Sequence, residues 1–148
     1  APGRIDSTDV GKVNDTAIIA AIDLVPSLLR LAGLDASELP ADGEDCFDAL
    51  FANDPTGRRG MLFWRRPPDR PPKADATTCA DLAVREGRWK LLCDYDGTRV
   101  ELYDLDNDPV ESTNVAGQHA DVAKRLTSAV VAWHRSLPPD NGPGYDAK

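Results

Sequence analysis

The stretch from Leu82 to Tyr103 constrains the fold more than any other part of this chain. Leu82-Ala83-Val84-Arg85 and Arg88 to Cys93 flank Glu86-Gly87, so two extended runs meet at a tight turn with a glycine near its centre. Side chains alternate along the second run: Trp89, Leu91 and Cys93 share one face, and Lys90 and Leu92 share the other. Asp96-Gly97 is a strong two-residue turn signal, joining Cys93-Asp94-Tyr95 to Arg99–Tyr103 as a second hairpin. With Met61 to Trp64 as a further strand, an antiparallel meander of three to four strands follows. A sheet this small needs a cover on its apolar face. Val122, Leu126, Val130, Trp133 and Leu137 supply one, recurring at helical spacing as a single stripe that Pro138-Pro139 ends.

Upstream, Ala17 to Ile22 is a short continuous apolar run and reads as a strand buried on both faces. Asp23 is placed to cap a following helix, and Pro26 falls in its first turn, where a missing N–H does no harm. Leu24, Leu28 and Leu31 share one face of that helix, and Gly33 suits its C-terminal cap. Pro40 to Gly43 reads as a turn and Asp45 to Phe51 as two turns of helix. Pro67-Pro68-Asp69-Arg70-Pro71-Pro72 must be a loop or an extended polyproline segment, since proline has no ladder donor. The first dozen residues read as an extended lead-in, and residues 138–148 as a frayed tail. The fold class is α+β: the meander packed against a long C-terminal helix, preceded by a strand-helix segment.

Composition narrows the partners. The 148 residues are 41% hydrophobic and 28% charged, ordinary for a globular domain with a real core. A formal charge of −8 and a pI near 4.6 argue against nucleic acid and against an anionic membrane surface, both of which repel an acidic protein. No apolar run approaches the roughly 20 residues that a bilayer span needs. Cys46, Cys79 and Cys93 are odd in number and widely spaced, with no Cys-x-x-Cys pair. One bridge is open to them, but three idle thiols are the reading preferred.

Few motifs carry chemistry. Asp104-x-Asp106-x-Asp108 resembles the start of a calcium loop, yet Pro109 stands where such a loop needs glycine and Val115 where it needs a bidentate glutamate. The reading is a solvated acidic loop in which Asp and Asn side chains accept from turn N–H groups, with no metal. His119 and His134 lack the further ligands of a zinc site, and no Gly-x-Ser-x-Gly elbow or phosphate-cradling glycine loop is present. Trp64, Trp89 and Trp133 each fall on a periodic apolar position and read as core or edge aromatics. Arg58, Arg59, Arg65, Arg66, Arg70 and Lys73 form a basic stretch in an acidic chain. A solvated loop is its ordinary explanation, and recognition of an anionic substrate by guanidinium groups its functional one. Pro68-Asp69-Arg70-Pro71 fits the loose pattern read by SH3 domains.

Glu86-Gly87-Arg88-Trp89-Lys90-Leu91-Leu92, with the outgoing Val100-Glu101-Leu102-Tyr103-Asp104-Leu105-Asp106-Asn107-Asp108-Pro109 and Val110 to Ala116, closely resembles the C-terminal signature of sulfatases. Asp23-Leu24-Val25-Pro26-Ser27-Leu28-Leu29-Arg30-Leu31-Ala32-Gly33 is a second match, in the order that family requires. Pro2-Gly3-Arg4-Ile5 and Leu62-Phe63-Trp64 extend the likeness, which runs from about residue 2 to residue 137.

The resemblance implies residues 1–57 as the end of a large catalytic domain, 58–137 as the smaller C-terminal subdomain, and 138–148 as tail. It implies the C-terminal, non-catalytic portion of an arylsulfatase-type enzyme that hydrolyses sulfate esters. A related phosphoester or phosphonate hydrolase is the alternative, as is a stand-alone interaction module built on the proline-rich loop. Calcium and a cysteine-derived formylglycine would sit in an N-terminal half preceding Ala1, which would be the principal partner beside a small sulfated substrate. None of Cys46, Cys79 and Cys93 has Pro or Ala two residues on or Arg four residues on, so no catalytic or metal-binding residue transfers. Arg65 and Arg66 are the candidate substrate-binding residues. Intact relatives of this kind are often exported or periplasmic. The leucine face of the helix after Asp23 should pack back on the remaining sheet or mediate self-association.

Overall fold

The computed structural model describes residues 11–35, 42–52, 54–66 and 80–138. Pro2 to Ile5, Pro40, the proline-rich run with Arg70 and Lys73, Cys79 and the tail from Pro139, all read above from sequence, lie outside them. The chain divides into two compact units, Ala1–Gly60 and Met61–Lys148.

In the second unit, β1 (Leu62–Arg65), β2 (Leu82–Glu86), β3 (Trp89–Cys93) and β4 (Glu101–Asp104) form one antiparallel sheet in sequence order. The expected meander is present with four strands, β1 displaced by one residue from Met61–Trp64. Register follows the alternation of the sequence. Phe63, Val84, Leu91 and Leu102 lie opposite one another across all four strands and so share a face. On that face lies α3 (Ala120–Ser136), which buries Ala123, Leu126 and Val130 against Leu82, Val84, Leu91, Cys93 and Leu102. Phe63 stacks on Trp133 with ring centroids 5.1 Å apart. Gly97 closes the second hairpin at φ 82°, donating to the Asp94 carbonyl at 2.9 Å.

The loop from Asp104 to Gly117 behaves as its acidic composition predicts. Asp108 Oδ2 accepts from the backbone N–H groups of Ser112 and Thr113, both at 2.8 Å. Asn114 then ties the outgoing chain to β4. Its Oδ1 accepts from Leu102 N at 3.1 Å and Ala116 N at 2.9 Å, and its Nδ2 donates to the Val100 carbonyl at 3.2 Å. Val115 N adds a bond to the Leu102 carbonyl at 2.8 Å.

In the first unit, α1 (Leu24–Leu31) contains Pro26 in its first turn, as expected, and ends in a left-handed cap. Gly33 has φ 76°, Gly33 N donates to the Arg30 carbonyl and Leu34 N to the Leu29 carbonyl, the paired bonds of a Schellman motif. α2 (Phe47–Phe51) is shorter than the expected two turns. Ala17 to Ile22 corrects the sequence reading: residues 17–20 belong to no ladder, and Ala21–Asp23 is a 3-10 turn. A strand needs a neighbour, and this segment finds only isolated partners, such as Arg58 N donating to the Ile18 carbonyl at 2.7 Å. Ile22, expected to be buried on both sides, is 46% exposed.

Asp23 also acts differently from a helix cap. Its side chain makes no capping bond to α1 and is fully buried. Oδ2 accepts from Ala20 N and Oδ1 from Glu44 N, each at 2.8 Å, while Oδ1 also takes a short bond from Arg58 Nη1. Ser27 Oγ donates to the Asp23 carbonyl at 2.6 Å and accepts from Cys46 N at 2.9 Å, so both buried polar side chains serve one clamp. No helix among the described residues is long and apolar enough to cross a membrane.

Candidate functional site

Opposite α3, the sheet presents its second face. Trp64 lies opposite Ala83, Ala83 opposite Leu92, and Arg85 opposite Lys90. These residues, with Leu105, Pro109 and Glu111 from the outgoing loop, line an open cleft of about 630 Å3. That volume lies in the range of small-ligand sites. Ala83, lacking bulk, leaves the flank of Trp64 uncovered, and the indole is 45% exposed. Of the core-or-edge reading of this tryptophan the edge half holds: Trp64 lies on the edge strand β1, with its face on the open side.

Two cations oppose one another in this cleft, and like charges directly across a strand pair are destabilising. Glu111 relieves one of them, its Oε1 accepting from Lys90 Nζ at 2.6 Å. Arg85 donates through Nε to the Gly87 carbonyl at 3.1 Å, which aims the guanidinium. Its two terminal nitrogens have no partner among the described residues. Beyond the cleft on the same face, Tyr103 donates to Glu101 at 2.9 Å. Burial, then that carboxylate, push its phenol up to about 12.

Arg65 and Arg66 sit elsewhere. Arg65 ends β1 opposite Leu82, on the α3 side of the register. Arg66 follows, with Nη2 on Asp81 Oδ1 at 2.5 Å, its N–H on the Asp81 carbonyl and its own carbonyl receiving the Tyr95 hydroxyl at 3.1 Å. Arg66 is committed to an ion pair. Arg58, also in the basic stretch, is the buried partner of Asp23.

The remaining candidates are packed. His134 stacks on Tyr95 at 4.8 Å, and His119, at the start of α3, tilts over Trp89 at 4.7 Å. Cys46 and Cys93 are free and buried, and burial pushes the Cys93 thiol up to about 11. Among the described residues no three His, Cys, Asp or Glu side chains group as a metal site. The cleft was missed from sequence. The Arg85–Lys90 opposition was available from the hairpin register, but Ala83 beside Trp64 was not, because that contact crosses from β1 to β2 over the proline-rich stretch.

The comparisons decide the lineage. The family described as N-sulphoglucosamine sulphohydrolase, C-terminal, matches residues 2–135. The chain belongs to that family. Arylsulfatase K of Bos taurus is 25% identical over 120 residues, covering 75% of this chain and 21% of that protein. A sulf-designated Bacteroides thetaiotaomicron protein, solved in work on that organism's metabolism of multiple glycosaminoglycans, shares the fold. Its TM-score is 0.54 at 23% identity, over 76% of this chain and 24% of that one. The chain thus spans about a fifth of the curated relative it matches. It is a C-terminal part of a sulfatase, as the resemblance implied.

Proposed function

We propose that this chain is the supporting, non-catalytic portion of an enzyme that hydrolyses sulfate esters, and that the reacting groups are supplied by the rest of that enzyme. The observation that carries the reading is the match over residues 2–135 to a family described as the C-terminal part of a sulphohydrolase. Calcium and formylglycine, which the sequence resemblance attaches to such enzymes, do not fit the side chains described here and would belong to residues outside this sequence. The relatives found are sulfatases, so a phosphoester or phosphonate hydrolase is not favoured, nor is a stand-alone module on the proline-rich loop.

The principal partner is then the remainder of the parent enzyme. Support comes from α1, where Val25 and Leu28 are at least half exposed beside Leu24. An apolar helix face of this kind is costly in water and suits burial against a larger sheet. Arg65 and Arg66 stand at the mouth of the substrate site in this reading. Arg66 is balanced by Asp81, which reduces its expected effect on a charged substrate. The test is hydrolysis of aryl sulfate and aryl phosphate by the parent enzyme with and without this portion. Sulfate turnover that needs both parts is expected. Metal-dependent sulfate-ester cleavage by the 148-residue chain alone would remove the supporting role. An unchanged kcat/KM in the parent after Arg65→Ala and Arg66→Ala would remove those two residues from it.

A further inference from the structure

We propose that the open face of the sheet is a binding site, taking an anionic saccharide ring that lies on Trp64 and presents its acidic group to Arg85. Three independent observations meet there. A large aromatic is left nearly half bare in mid-strand, where the small Ala83 opposite allows a flat apolar face to approach. Arg85 is aimed by its Nε bond while its fork of N–H groups stays open, the geometry that takes an oxyanion through two parallel bonds. Glu111 is held at φ 58°, a conformation that non-glycine residues adopt rarely and that carries its carboxylate to Lys90. A like-charged cross-strand pair and a left-handed glutamate both cost stability, and both point into one cleft.

The lining suits a saccharide. Beside the aromatic wall stand Ala83, Leu92, Leu105 and Pro109 together with the charged Arg85, Lys90 and Glu111, a mix that matches a ring with one apolar face and an acidic substituent. The cleft's two cations and one carboxylate are net positive within a chain of −8. The choice of a sulfated sugar as the anion rests on the sulfatase reading above. The cleft itself does not.

The experiment is an NMR titration of the whole chain with an N-sulfated glucosamine–uronate disaccharide, its desulfated counterpart, and sodium sulfate at matched ionic strength. Saturable shifts centred on the Trp64 indole and the Arg85 Nε–H are expected with the sulfated disaccharide, weaker ones without its sulfate, and none at Trp64 with sodium sulfate. Arg85→Gln, a surface change that leaves the core alone, should weaken binding by about tenfold or more. Glu111→Gln should tighten it, because Lys90 is then released to the ligand, an effect opposite to that of a damaged fold. Shifts reproduced by sodium sulfate, or unaltered affinity in both variants, would overturn the proposal. So would shielding of Trp64 from acrylamide in the parent enzyme with loss of the disaccharide shifts, which would assign the face to polypeptide. Sulfate-ester turnover by the parent without binding here would sink this inference alone; binding here by a parent inert toward sulfate esters would sink the functional reading alone.

Discussion

Replacing Asp23 with Ala should unfold the first unit and leave the second standing. The carboxylate is fully buried and accepts from two backbone N–H groups and from Arg58, whose own side chain is only 7% exposed. Alanine takes from the buried Arg58 guanidinium its closest carboxylate, leaving Glu44 at 3.5 Å and the Asp42 carbonyl at 2.9 Å, and removing one partner of a buried pair costs up to about 3–5 kcal/mol. Two N–H donors are orphaned as well, at about 1–3 kcal/mol each where water cannot reach them. A unit of some sixty residues has a total stability on the order of 3–9 kcal/mol, so the loss is comparable with everything the unit has. Amide hydrogen exchange followed by peptide mass spectrometry separates the outcomes. Peptides covering residues 17–31 and 44–58 should exchange as unfolded chain, while those from β2 and β3 keep their protection. Asp23→Leu combined with Arg58→Met should recover part of the loss, since the buried charge is removed together with its carboxylate. A cost below about 1 kcal/mol for Asp23→Ala, with protection intact at Ser27 and Cys46, would refute the clamp.

In the second unit, Leu126→Ala removes a fully buried side chain from the centre of the α3 contact and should cost about 3–5 kcal/mol in urea denaturation. Cys93, with its thiol raised from 9.0 to about 11 by burial, should resist iodoacetamide at pH 8 until the protein is unfolded. Because that thiol stays protonated when folded and ionises in the unfolded chain, stability should be intact below pH 9 and fall as pH climbs to about 11, by roughly 2–3 kcal/mol. Cys93→Ala should flatten that stretch of the pH profile. Gly97→Ala would put a methyl 3.2 Å from Thr127 Cγ2 at φ 82°, and should lower the melting temperature by several degrees.

Local pattern announced the sheet and α3 because both lie in continuous sequence with clear periods. The alternation at Trp89, Leu91 and Cys93 and the stripe through Leu126 and Val130 are each decided by nearest neighbours on one element. Ala17 to Ile22 misled because apolar content alone does not supply a ladder partner, and among the described residues that segment bonds to scattered groups such as Asn14, Arg58 and Asp23. Asp23 looked like a cap for the same reason: sequence shows what precedes a helix, and tertiary structure turned the side chain away toward Glu44 and Arg58. The cleft stayed hidden since its wall, floor and ledge come from β1, β2, β3 and the outgoing loop, three of them joined only through register. Arg65 and Arg66 were visible as charges, but the Asp81 that occupies Arg66 lies 15 residues on.

The Asn114 stitch also guards the outer rim of β4. The Leu102 N–H, the Leu102 carbonyl and the Val100 carbonyl are already bonded there, so an incoming strand, whether a segment of the parent or a second molecule in a misassembled pair, finds those groups taken. Cutting the Asn114 tie would bare them and give such a strand a place to pair.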